Sequence, residues 1–248
     1  MWASARHRAE AEAHVGALYP RLLASHRWWK RARDPGDSGL VVSLHPWETG
    51  MDNSPAWDAA LARVPTQTAT AVVRRDTMHV DAAMRPRQEE YLRFIHLVDL
   101  FRDTEWEPAR MMAASPFRVV DVGTNAILLR AGRDMLALAG RFGTAAEAAE
   151  IAWRIAHMSR ALDRLWSETG GVYQSYDLIG DTPIAAVTSA ALLPLFGGGV
   201  PAERVAALCA TLRRWGQSVR HLVPSTDPAD PRFEPRRYWR GPVWALVN

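Results

Sequence analysis

Between His45 and Asp58 the sequence reads His-Pro-Trp-Glu-Thr-Gly-Met-Asp-Asn-Ser-Pro-Ala-Trp-Asp. Three carboxylates, Glu48, Asp52 and Asp58, fall within eleven positions, with the indoles of Trp47 and Trp57 among them. Apolar surroundings penalise the charged form of a carboxyl group and raise its pKa. A carboxyl raised in this way keeps its proton near neutral pH and can give it to a leaving oxygen, the acid half of glycosidic-bond cleavage. Asp52, beside Met51 and with a tryptophan on either side along the chain, is the best placed of the three. Gly50 lets a ligand come close to the backbone, and an indole face can stack on a sugar ring. The same residues also read as plain architecture. Ser54 is then a helix cap, Pro55 a first helical residue, Asp52 and Asn53 turn formers, and Glu48 a solvated charge.

A second stretch, Arg236-Arg237-Tyr238-Trp239-Arg240-Gly241-Pro242-Val243-Trp244, alternates aromatic rings with arginine and glycine. It offers stacking faces and a planar guanidinium fork suited to a carboxylate. The structural reading is an aromatic plug, with Arg240 bonded to backbone carbonyls. Between the two stretches lies Asp76-Thr77-Met78-His79-Val80-Asp81-Ala82-Ala83-Met84-Arg85-Pro86. His79, Asp76 and Asp81 are metal-ligand types, but packed so closely they read better as a solvated turn.

The elements that must hold these residues are helical. Ala3 to Lys30 carries Val15, Leu18, Leu22 and Leu23 on one face. Pro86 is a plausible first residue for a helix with Tyr91, Phe94, Ile95, Val98 and Phe101 at helical spacing. Asp121 can cap a helix carrying Val122, Ala126, Leu129 and Leu136. Thr144 to Glu147 is a capping-box pattern. The helix after it repeats Ile151, Ile155, Met158, Leu162 and Leu165 and stops at Gly170-Gly171. Pro201 opens another, with Val205, Leu208, Leu212 and Trp215, stopped by Gly216. Strand signals are confined to Leu40–Leu44 and Arg118–Val120. The loops Arg33–Pro55 and Leu222–Pro242 far exceed the ~2–8 residues usual between packed helices, and loops of that size tend to carry function.

Composition narrows the classes. The 248 residues are 48% hydrophobic and 23% charged, a globular balance. Of 30 basic residues only Lys30 is lysine, the net charge is +3, and the arginines are dispersed, which argues against a nucleic-acid face. No apolar run approaches ~18 residues, so no membrane partner is expected. The start of the chain lacks a secretory pattern and Cys209 is the single cysteine. A reducing, cytoplasmic location is expected.

The run Gly50-Met51-Asp52-Asn53-Ser54-Pro55 resembles the motif of glycoside hydrolase family 63, especially the bacterial branch acting on glucosylglycerate and mannosylglycerate. The Tyr238-Trp239-Arg240-Gly241-Pro242-Val243-Trp244 run and the Asp76–Pro86 segment resemble the family too. So do Asp121–Asn125 and Gly171–Leu178, both taken as scaffold. The resemblance implies that Asp52 is the general acid and that Trp47 and Gly50 line the sugar site. Tyr238, Trp239 and Trp244 would border the substrate, and Arg240 would be structural. Arg85 would bind the glycerate carboxylate, with Arg87 as the alternative. No metal or organic cofactor is implied.

The fold so implied is all-α, an (α/α)6 toroid of the six-hairpin glycosidase kind, incomplete at both ends. Residues 1–248 form one partial catalytic domain lacking its first helices and its C-terminal segment. The family's second carboxylate, the general base, is expected beyond Asn248. The chain alone is therefore expected to show negligible hydrolysis, and the uncovered helix faces to lower its solubility. The implied function is inverting hydrolysis of an α-glycosidic bond in a small glycosylated acid or oligosaccharide. The alternatives are a non-catalytic sugar-binding or helical interaction remnant, and a trehalase-like toroid whose motif is not seen.

Overall fold

The computed structural model describes residues 5–34, 36–71 and 73–244. Among the described residues, eight α-helices in chain order are α1 (Ala5–Arg33), α2 (Asp58–Ala62), α3 (Gln88–Asp103), α4 (Pro108–Ala114), α5 (Val122–Phe142), α6 (Ala145–Asp163), α7 (Pro194–Gly197) and α8 (Ala202–Ser218). Short strands are β1 (Val119–Val120), β2 (Trp166–Ser167), β3 (Val172–Tyr173), β4 (Tyr176–Asp177) and β5 (Thr182–Pro183). They make a β1–β4–β5 antiparallel sheet and a β2–β3 hairpin. The architecture is helical, with small strands as clips.

The frame is the α5–α6 hairpin, on which α1 packs through Tyr19 and Leu23 against Met135, Ala139 and Ile151. Both hairpin helices start where the sequence says they should. Asp121 accepts from the Gly123 and Thr124 amides. Thr144 and Glu147 exchange side-chain-to-backbone bonds, the reciprocal pattern that satisfies two orphan amides. In α1 Tyr19 and Leu23 are buried, as are Ala32 and Arg33 at its end, while Leu22 is 42% exposed. Ala3 lies outside the described residues.

Three helix boundaries differ from expectation. The α3 helix starts at Gln88, not Pro86, because the Glu90 carboxylate reaches back to the Arg87 amide and makes Arg87 the cap. The α6 helix stops at Asp163 rather than at the glycine pair. Leu165 lies beyond it, and Gly170-Gly171 instead turns the hairpin in which Trp166 pairs with Tyr173. The α8 helix runs through Gly216 to Ser218, and Pro201 stands before it as cap.

The first long loop is pinned to this frame. The fully buried Asn125 of α5 accepts from the Val41 amide at 2.8 Å and donates to the Val41 carbonyl at 3.0 Å. Two residues on, Ser43 and Val119 exchange backbone bonds of 2.8 and 3.0 Å. Leu40–Leu44 is thus a side-chain-anchored extended segment with one bridge, not a strand of its own. Beneath it lies the main core, where Leu44, Phe94, Leu97, Phe117, Leu208 and Trp215 are fully buried.

Candidate active site

Asp52 is held between two capped turns. His45 opens the first, a 3-10 turn over Pro46–Thr49, by accepting from the Trp47 amide through Nδ1. Its Nε2 lies 2.9 Å from the Phe94 carbonyl. The ring therefore carries its proton on Nε2, and burial pushes its pKa down to about 4. Gly50 closes the turn with φ 71°, the left-handed backbone that glycine adopts without strain. Ser54 caps the next 3-10 turn, Pro55–Trp57, through the Ala56 amide. The Glu48 carboxylate is not free in solvent. It bonds Arg33 at 2.7 Å and the Leu44 amide at 2.8 Å.

Trp57 does not face the site. It is 1% exposed in the core, and its indole donates to the Met51 carbonyl at 2.8 Å. That bond fixes the residue just before Asp52, so Trp57 positions the acid from behind instead of walling a ligand. Trp47 is 44% exposed and packs on His45 and Phe94.

The second stretch comes to Asp52 from the far end of the chain. The Tyr238 amide donates to the Met84 carbonyl at 2.9 Å and Arg237 to the Ala83 carbonyl at 3.1 Å. Trp239 sits at φ 57° and stacks on Trp244 with ring centres 4.6 Å apart and planes 17° from parallel. A non-glycine residue in that region costs about 1 kcal/mol or more, a strain the surrounding packing must hold. Gly241 admits no side chain, since a Cβ there would lie 2.5 Å from the Glu234 carbonyl oxygen. Arg240 is buried and pairs with the carboxylates of Asp58 and Glu90. Its partners are carboxylates instead of backbone carbonyls, and its role is to bolt this loop to α2 and α3.

Burial pushes the Asp52 pKa up to about 6. The Tyr238 hydroxyl, a backbone amide and the Arg85 charge pull the other way, and the Asp76 charge adds to the rise. Gly50 and Met51, which precede Asp52 in the chain, line a hollow of about 340 Å³ together with Asp121, Ser189, Tyr238, Trp239 and Trp244, and the Asp52 side chain is not part of its wall. Asp121, expected as scaffold, caps α5 and also forms part of the wall. Arg85 lies with its guanidinium 4.1 Å from the centre of the Tyr238 ring. Arg87 is exposed at the start of α3 and borders a different depression with Asp58, Glu90 and Arg240.

So Asp52, Gly50, Arg85, Tyr238, Trp239 and Trp244 come together. Trp47 joins only through Tyr91, whose ring centre is 6.5 Å from its own. Three residues of this rim escaped sequence reasoning as site residues: Arg74, Asp76 and Tyr91. Arg74 lies 4.7 Å above the Tyr91 ring, and Asp76 joins Arg74 to Arg85. The Arg74-Arg75-Asp76 run was the available signal. His79 is exposed, and no group of three or more metal-type ligands forms among the described residues.

A helical scaffold that brings a carboxyl of raised pKa near an aromatic hollow is the kind of site a helical glycoside hydrolase domain requires. The family model of the mannosylglycerate hydrolase MGH1-like glycoside hydrolase domain matches residues 1–248, and the chain belongs to that family. It is 49% identical over 241 residues to the mannosylglycerate hydrolase of Thermus thermophilus, covering 97% of this chain and 58% of that protein. It is 48% identical over 244 residues to mannosylglycerate hydrolase MGH1 of Selaginella moellendorffii, covering 98% and 50%. The crystal structure of a family 63 mannosylglycerate hydrolase from Thermus thermophilus, in complex with Tris and D-glycerate, superposes with a TM-score of 0.93 at 49% identity, covering 97% of this chain and 58% of that one. The chain spans about half the length of the relatives it matches.

Proposed function

We propose that this chain carries the general acid of an inverting α-glycosidase that cleaves mannosylglycerate or glucosylglycerate. Its helices would form part of an (α/α)6 toroid, with residues 1–248 as one portion of the catalytic domain. Asp52, protonated below about pH 6, gives its proton to the glycosidic oxygen as the bond to the anomeric carbon breaks. A second carboxylate, ~6.5–9.5 Å away across the sugar, activates the attacking water. That base is expected after the Tyr238–Trp244 motif. Gly50, Trp47, Tyr238, Trp239 and Trp244 shape the sugar pocket, and Arg85 takes the carboxylate of the acid. The single cysteine fits a cytoplasmic enzyme. No described helix is long and apolar enough to cross a membrane.

The observation that carries the reading is that Gly50 and Met51, next to Asp52, and Tyr238, Trp239 and Trp244, from the far end of the chain, line one ring-walled hollow. The supporting names of the relatives point to mannosylglycerate first. The test is release of mannose from mannosylglycerate, and of glucose from glucosylglycerate, by a form of the protein that carries the base as well, and by that same form with Asp52→Asn. A rate at least about a thousandfold lower in the variant is expected for loss of the proton donor. Equal turnover by the two proteins removes Asp52 as the acid.

A further inference from the structure

We propose that Arg74 and Arg85, yoked by Asp76, form a two-guanidinium seat for the carboxylate of the acidic aglycone, with Asp76 as its positioning residue. The proposal rests on the reading of Arg85 given above and deepens it. Asp76 accepts from Arg74 Nε at 3.0 Å and Nη2 at 2.6 Å, a two-pronged pair, and from Arg85 Nε at 3.3 Å. Its side chain is 15% exposed. The two arginines, Arg74 foremost, hold its carboxyl below the usual range, so it stays ionised where Asp52 titrates.

Each guanidinium is also laid on a ring, Arg74 on Tyr91 and Arg85 on Tyr238. Held at an edge by one carboxylate and at a face by a ring, both cations lose the rotamer freedom that a lone surface arginine would give up on binding. Arg85 spends only Nε on Asp76. Its terminal nitrogens have no hydrogen-bond partner among the described residues, and they supply the fork a carboxylate takes. Two cations and one anion leave one uncompensated positive charge. The seat adjoins the acid, since both Arg85 and Asp76 act on Asp52. A substrate whose carboxylate is a short link from the glycosidic oxygen can reach both.

Charge and position make opposite demands on Asp76. If it were only a nearby negative charge, neutralising it would tighten anion binding. As the part that fixes the two guanidiniums, its loss loosens binding. The experiment is calorimetric titration of the 248-residue protein, Asp76→Asn, Arg74→Ala and Arg74→Lys with D-glycerate. Thermal melts verify that each variant is folded, and NMR titration of the Asp52 carboxyl is the second readout. Expected are at least tenfold weaker binding for Asp76→Asn and Arg74→Ala, about 1.4 kcal/mol, and incomplete rescue by Arg74→Lys, which lacks the fork. Asp76→Asn also lowers the Asp52 pKa, an effect that general loosening of the loop, by exposing the carboxyl without removing a neighbouring charge, would not give without a lower melting temperature. Unchanged or tighter D-glycerate binding by Asp76→Asn overturns the proposal. Absence of binding by the unmodified protein overturns it together with the reading of Arg85, while the role of Asp52 stands or falls on mannose release.

Discussion

The Arg85 guanidinium lies on the face of the Tyr238 ring, 4.1 Å from its centre, and the hydroxyl of the same ring favours the ionised form of Asp52. One tyrosine thus links the cation proposed to take the aglycone with the carboxyl proposed to give the proton. The two halves of the chemistry share a rigid spacer. It is delivered by backbone bonds from Tyr238 to Met84 and from the Arg237 side chain to Ala83.

Replacing Tyr238 by Phe keeps the ring under Arg85 and removes the donor. A hydrogen bond to the ionised carboxyl favours that form, so its loss raises the pKa of Asp52 above about 6. An NMR titration of the carboxyl should show the upward move. A downward move would mean that the hydroxyl does not stabilise the carboxylate.

Asp52 should cost the protein stability. Its folded pKa is raised from 3.8 to about 6, so the folded state binds the proton more tightly than the unfolded chain. The contribution is favourable below about pH 3.8 and is lost as pH rises through about 6. Asp52→Asn is therefore expected to be more stable than the parent at pH 7.5, by about 3 kcal/mol, with the gap closing by pH 4. Urea melts at the two pH values measure this. A gap that widens on acidification contradicts the buried, proton-retaining carboxyl.

Arg240→Ala leaves Asp58 and Glu90 facing each other without their shared cation. Removing a buried cation from two partly exposed carboxylates costs about 1.5–3 kcal/mol, the worth of hydrogen bonds to charged groups. The variant should melt earlier and lose the near-ultraviolet signal of the Trp239–Trp244 stack. Arg240→Lys should recover only part of the loss, since an ammonium does not bridge two carboxylates as a planar fork does. Full stability in Arg240→Ala would show that the loop is held by its rings alone.

What could be read from the sequence was what short-range rules decide. Asp121, Thr144 and Ser54 cap where a side-chain oxygen meets an amide two or three residues on, and no distant partner is needed. Asp52 stood out because its neighbours along the chain are apolar. Reasoning by neighbourhood then failed for Trp57, which is next to the site in sequence and behind it in space. It failed again at Leu165, whose helical spacing continues past Asp163 although the backbone turns into the β2–β3 hairpin. The Arg74–Asp76–Arg85 yoke could not be seen at all. It depends on a loop folding back on itself and on Tyr238 arriving from the far end, and neither leaves a periodic trace.

The imidazole of His45 gives the loop a lower acid boundary. It seats the turn in its uncharged form, and a buried ring that accepts a proton near pH 4 must give up the bond to the Trp47 amide. Asp52 loads its proton below about 6. A protonated Asp52 and an intact cradle thus coexist across an interval of roughly two pH units, in which further acidification fills the carboxyl before it begins to unseat the turn beneath it.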